Sequence, residues 1–121
     1  MLSRDLEADI LLLLDEEHDL YRSLLSVARK QACLIATAPS AQTLEQLIGL
    51  REDLYLRIEA AELARDSLVE DLAEIPDKVR SKAGAIEATL RAILEQDRLN
   101  EISLKGTWSR SFNQVPATAS H

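Results

Sequence analysis

The sequence predicts an all-α fold: a long, coiled-coil-like antiparallel helical hairpin, a third helix, and a mobile C-terminal tail. Three observations carry this reading. Two long stretches repeat apolar residues at three- and four-residue spacing, the signature of a helix with one buried face. Nearly half of the 121 residues are hydrophobic but only 3% are aromatic, so Leu, Ile and Ala dominate the apolar fraction and suit helix-on-helix packing. Strand signals are missing, with no period-two run of β-branched residues and no Asn-Gly or Asp-Gly turn.

The first helix is expected over about 6–36. Ile10, Leu13, Leu14, Leu20, Tyr21, Leu24, Val27, Ala28, Leu34 and Ile35 form its apolar stripe, and Asp15, Glu16, Asp19, Arg22, Arg29 and Lys30 its outer face. At about 1.5 Å per residue such a helix is roughly 45 Å long and needs an equally long partner. Ser3 is a candidate cap, with Asp5 and Glu7 at the positive end of the helix dipole. Pro39 disfavours helical geometry at Ala38 and marks the turn.

The partner is expected over about 43–74. Leu44, Leu47, Leu54, Ile58, Ala61, Leu68, Leu72 and Ile75 repeat the spacing. Either Ser40 or Thr43 can cap it, Thr43 with Gln46 as a capping-box partner. Pro76 suits the first turn of a third helix, expected over 77–105, with Val79, Ala83, Ile86, Leu90 and Ile93 inward. Beyond Ile93, Asp97 and Asn100 occupy stripe positions, and Leu94, Leu99 and Ile102 reappear off-phase. Gly106 is expected to end the helix. Residues 1–106 then form one domain, and 107–121 a flexible tail carrying Trp108, Phe112 and Val115.

Polar residues interrupt both stripes of the hairpin: Glu17 and Gln31 in the first helix, Arg51 and Arg65 in the second. Facing residues of an antiparallel pair have numbers with a constant sum. Glu17 with Arg65 and Gln31 with Arg51 both give 82, whose midpoint, Ala41, falls in the turn. The two pairs are therefore expected as cross-helix polar layers that penalise slipped alignments. The competing reading is that both arginines snorkel along the seam.

The formal charge is −7, with 16 acidic and 7 basic residues through Pro76 and 5 acidic and 7 basic from Asp77 onward. An acidic body argues against nucleic-acid binding, which releases counterions through a basic patch. Three glycines exclude Gly-rich phosphate loops. The apolar run at 10–14 is too short to span a bilayer, no signal peptide is seen, and the cytoplasm is the expected compartment.

No constellation for chemistry emerges, and no cofactor or metal is expected. Asp15 and His18 make one acid-x-x-His step, whereas a di-iron bundle needs two, and the only other histidine is His121. His18 therefore reads as a solvated surface residue. Cys33 has no disulfide partner and no histidine to activate it, and reads as a packing residue. Leu94, Leu99, Ile102 and Leu104, with Trp108 and Phe112 beyond, are more apolar residues than a fraying helix end needs. Either they fold back on the hairpin or they await a partner helix. With the polar residues Asp97 and Asn100 at inward positions, this segment is expected to dock weakly on the hairpin.

Over roughly 11–106 the chain resembles the flagellar type III export chaperones of the FlgN type. The resemblance rests on Leu-Leu-Asp-Glu-Glu-His-Asp-Leu-Tyr-Arg-Ser-Leu-Leu (13–25), Thr-Leu-Glu-Gln-Leu (43–47), Leu-Arg-Glu-Asp-Leu (50–54), Arg-Ile-Glu-Ala-Ala-Glu-Leu-Ala-Arg (57–65) and Leu-Glu-Gln-Asp-Arg-Leu-Asn (94–100). It implies a non-enzymatic cytosolic chaperone that holds hook–filament junction (hook-associated) proteins before export, with the export apparatus as a further partner. It further implies that Leu94, Asp97, Leu99, Asn100 and Ile102 grip an amphipathic helix of the cargo. The chain departs from that pattern where Gly106 cuts the last helix short, so that Trp108 and Phe112 would stand in for missing turns. A second hypothesis is a structural or adaptor coiled coil that homodimerises through the same surface. A third, a metal-dependent helical-bundle enzyme, lacks its second acid-x-x-His step.

Overall fold

The computed structural model describes the backbone of residues 2–37 and 40–119, and the side chains of 6–37 and 40–105. Three helices follow one another: α1 (Leu2–Thr37), α2 (Ala41–Val69) and α3 (Asp77–Ala119), and the described residues contain no strand. No described helix is long and apolar enough to cross a membrane.

Local chemistry sets the helix ends. Of the two candidate caps, Ser40 is used: its φ of −67° and ψ of 153° are extended, and its Oγ accepts from Thr43 N at 3.2 Å. Thr43 thus lies inside the first turn, and α2 begins two residues before the expected 43. At the other end, α2 stops at Val69 rather than near Glu74. Asp71 N and Leu72 N donate to Leu68 O and Val69 O, tightening the last turn into i→i+3 bonds. Leu72 still packs against the core from this turn, while Ile75, expected on the stripe, is exposed. Pro76 stands just ahead of α3, its carbonyl accepting from Arg80 N at 3.1 Å.

Gly106 does not end α3, whose backbone stays helical to Ala119 through the segment expected as a tail. Glycine costs a helix interior only about 1 kcal/mol relative to alanine, which weakens a helix without terminating it. Trp108 and Phe112 lie outside the residues whose side chains are described.

The hairpin register follows one rule. Glu17 meets Arg65, Gln31 meets Arg51 and Tyr21 meets Glu62, so facing numbers sum to 82 or 83. After the turn at 70–76, α3 reverses and runs parallel to α1: Asp15 meets Lys82, His18 meets Thr89, and the Ala28 carbonyl meets Asn100. Helix α1 is the shared spine. It packs against both others, whereas among the described residues no Cα of α2 comes within 8 Å of one of α3.

The core draws on all three helices. Ile10, Leu14, Tyr21, Leu24 and Val27 of α1 pack with Leu54 and Ile58 of α2 and with Val79, Ile86 and Ile93 of α3. Each buried Leu or Ile contributes about 1.5–3 kcal/mol. Ala83, expected to point inward, is exposed. Its neighbour Lys82 turns toward α1 instead and reaches Asp15 Oδ1 at 2.6 Å.

Candidate partner-binding surface on α3

Three polar layers clamp the bundle. In the first, Arg65 Nη1 lies 3.1 Å from Glu17 Oε1, and its Nη2 lies 3.1 Å from Asp66 Oδ1. Glu17 is fully buried, and among the described residues neither carboxylate oxygen has a hydrogen-bond partner. Burial pushes its carboxyl up to about 7; Arg65 opposes this, and Glu62, Asp66 and Glu16 add to it. Beside it the Tyr21 hydroxyl donates to Glu62 Oε1 at 2.5 Å. Burial raises the Tyr21 phenol, and the bond to Glu62 raises it further.

The second layer joins all three helices through one guanidinium. Arg51 Nη1 donates to Gln31 Oε1 at 2.6 Å and to Asp97 Oδ1 at 2.8 Å. Its Nη2 donates to Asp97 Oδ2 at 2.8 Å and to the Tyr55 hydroxyl at 2.7 Å. The fork on Asp97 is the bidentate geometry in which charge-assisted bonds are strongest. In the third layer Asn100, buried, donates from Nδ2 to Ala28 O at 2.8 Å and accepts from Gln96 Nε2 at 2.9 Å. Asp97 and Asn100 thus hold α3 onto the hairpin, and their polar atoms are engaged within the fold rather than offered to a partner. The expectation that they weaken docking is corrected: each has a partner on another helix.

The apolar residues around them remain exposed. Leu94 is 61% exposed, Leu99 45%, Ile102 54% and Leu104 46%. Of these, Leu94 lines a cleft of about 420 Å³ between α2 and α3, floored by α1. Tyr21 and Leu24 form its floor, Tyr55 and Ile58 one wall, and Leu90, Ile93 and Leu94 the other.

Two expectations about reactive residues change. His18 is buried rather than solvated; its Nε2 sits 3.1 Å from Thr89 Oγ1, and Nδ1 has no hydrogen-bond partner among the described residues. Burial lowers its pKa, helped by Arg22 and Lys82 and opposed by Asp19 and Asp15. Cys33 is exposed rather than packed, at the edge of a shallow apolar hollow with Leu34, Leu47 and Leu50 near the hairpin tip. Among the described residues no group of three or more His, Cys, Asp or Glu is placed to hold a metal ion.

Sequence reasoning singled out Glu17, Gln31, Arg51 and Arg65 but passed over Glu62, Tyr55 and Thr89. Glu62 was findable, because a tyrosine in an apolar stripe needs a hydroxyl partner and the register puts Ala61 opposite it, with Glu62 the next residue along. Comparison with protein-family models, with curated proteins and with solved structures returns no match for this chain.

Proposed function

We propose that this chain is a non-enzymatic export chaperone of the FlgN type, acting in the cytoplasm, that holds hook–filament junction proteins through an amphipathic helix laid on α3. One observation carries the reading. Between 94 and 102 the ordinary order of burial is inverted: Asp97 and Asn100 turn inward and are satisfied, while Leu94, Leu99 and Ile102 are exposed. A fold that only needed to close would bury the leucines. Exposed apolar side chains three residues apart on a clamped helix, as Leu99 and Ile102 are, are what helix-in-groove recognition uses as anchors.

Replacing Leu99 and Ile102 together by Asp tests this. Each anchor contributes about 1.5 kcal/mol when covered, so calorimetric affinity for a hook–filament junction protein falls roughly a hundredfold. The melting temperature of the free variant stays nearly unchanged, because exposed substitutions usually alter stability by less than about 0.5 kcal/mol. A variant that unfolds places these residues in the core. One that stays folded and binds normally moves the cargo surface elsewhere.

A homodimerising adaptor is the second reading, favoured by Leu56 and Leu63, exposed seven residues apart on α2. A stable dimer in solution, made monomeric by Leu56→Glu with Leu63→Glu, would establish it.

A further inference from the structure

We propose that the cleft between α2 and α3 is the seat for a partner's amphipathic helix whose apolar stripe is flanked by Lys or Arg, with Glu59 and Glu62 as the groups that select the basic flank. This rests on the reading that α3 receives a helical partner, and it adds where the helix lies and what charge it carries; of the exposed apolar residues of α3 the cleft lining includes Leu94, while Leu99 and Ile102 lie outside it.

The geometry supplies the place. Helix α1 packs against α2 and α3, while among the described residues the backbones of those two stay apart and are joined by the Arg51–Asp97 fork, so the bundle has a spine and two flanks with a channel beside that bridge. Tyr55 stands on the α2 lip, 46% exposed, and Leu94 stands on the α3 lip. Tyr55 is already oriented: Arg51 holds its hydroxyl, and the guanidinium carbon lies 5.7 Å from the ring centroid. A large amphipathic ring fixed before binding loses little entropy on contact, which is why tyrosines recur as interface anchors.

The lining also sets the sign of the charge. Among the described residues, its ionisable side chains besides the two tyrosines are Glu59, Glu62 and Asp97, with no Lys or Arg. Asp97 is neutralised by Arg51. Glu62 accepts from the Tyr21 hydroxyl, Glu59 is exposed, and neither has an ion pair among the described residues. Across the channel, Arg91 and Arg98 are paired within α3 to Glu87 and Glu95. An apolar floor with one acidic wall complements a helix that carries positive charge along one edge of its stripe.

Two synthetic 18-residue peptides with the same leucine stripe, one flanked by Lys and one by Glu, provide the probe. Calorimetric titration into the full chain is expected to show the Lys peptide binding at least tenfold tighter than the Glu peptide, with the difference shrinking at high salt. Glu59→Lys, at an exposed helical position, keeps wild-type helicity and weakens the Lys peptide roughly tenfold. Tyr55→Ala weakens both peptides by a similar factor. Equal binding of the two peptides, or no binding of either, overturns the proposal. So does binding that ignores Glu59→Lys and Tyr55→Ala yet is lost with Leu99→Asp and Ile102→Asp; that result leaves the α3 reading standing and moves the helix out of the cleft. A dimer of the free chain that dissociates on Tyr55→Ala would assign the channel to a second copy, and also overturns it. The junction-protein titration judges the α3 reading separately.

Discussion

Glu17→Gln isolates the buried carboxyl at the centre of the hairpin. The wild-type group takes up its proton at about 7 instead of its ordinary 4.5, with burial as the main cause. Between those values the fold holds a proton that the unfolded chain has released, so raising the pH destabilises the fold. The stabilising contribution is complete below 4.5, is lost progressively up to about 7, and changes little beyond. At about 1.4 kcal/mol per pH unit the loss is roughly 3 kcal/mol. His18 works in the opposite sense. Its depressed pKa means that the unfolded chain binds the extra proton first, so stability falls as the pH drops below 6.5. The two neighbours partly mask each other in the wild-type profile.

The variant removes that ambiguity. The substituted amide mimics the protonated acid and leaves His18 in place, so the difference between variant and wild type reports Glu17 alone. Arg65 is not orphaned, because Asp66 remains 3.1 Å from its Nη2. Urea unfolding between about pH 4.5 and 8 should show near-equal stability at the acid end and the variant ahead by about 3 kcal/mol at the alkaline end. A constant difference, or one favouring Glu17 at the alkaline end, would mean that the Arg65 pair outweighs burial and would refute the reasoning.

Gly49→Ala and Gly84→Ala should each raise stability by about 1 kcal/mol, because both glycines are inside helices and an added Cβ meets nothing within 4 Å; thermal melting reads this directly, and a loss at either site would reveal a packing constraint there. Asp97→Ala should cost about 1–3 kcal/mol in urea unfolding. It strips the bidentate partner from Arg51, whose side chain is only 14% exposed, and the third of Asp97 that faces water moderates the loss. Unchanged stability would show that Gln31 and Tyr55 suffice for that guanidinium.

The hairpin was legible because its polar interruptions come in matched pairs. Glu17, Gln31, Arg51 and Arg65 each break a stripe, and only one register satisfies both pairs, so the sequence contains its own alignment. The path of α3 had no such marker. Asp97 answers to Arg51, a residue already assigned to Gln31, and a side chain with two clients cannot be deduced from one seam. Asn100 answers to the backbone carbonyl of Ala28, and a carbonyl has no sequence signature. His18 was misplaced for a related reason. A helix that packs against two others buries a wider arc than one stripe shows, and His18 lies on the part of α1 that meets Thr89 of α3.

The same geometry explains why the α3 surface needed both sequence and structure to read. Periodicity marks Leu94, Leu99 and Ile102 as off-phase, but an off-phase leucine can sit on a second neighbour or on none. The direction of α3 decides between these. Running parallel to α1, it turns Asp97 and Asn100 toward the hairpin, so Leu99 and Ile102 point away. Once Asp97 and Asn100 are satisfied inside, rotating α3 to cover those apolar side chains would break the Arg51 fork and pull Asn100 from the Ala28 carbonyl. The exposed apolar face is therefore locked outward by the polar layers, and covering it from within the described bundle would dismantle them.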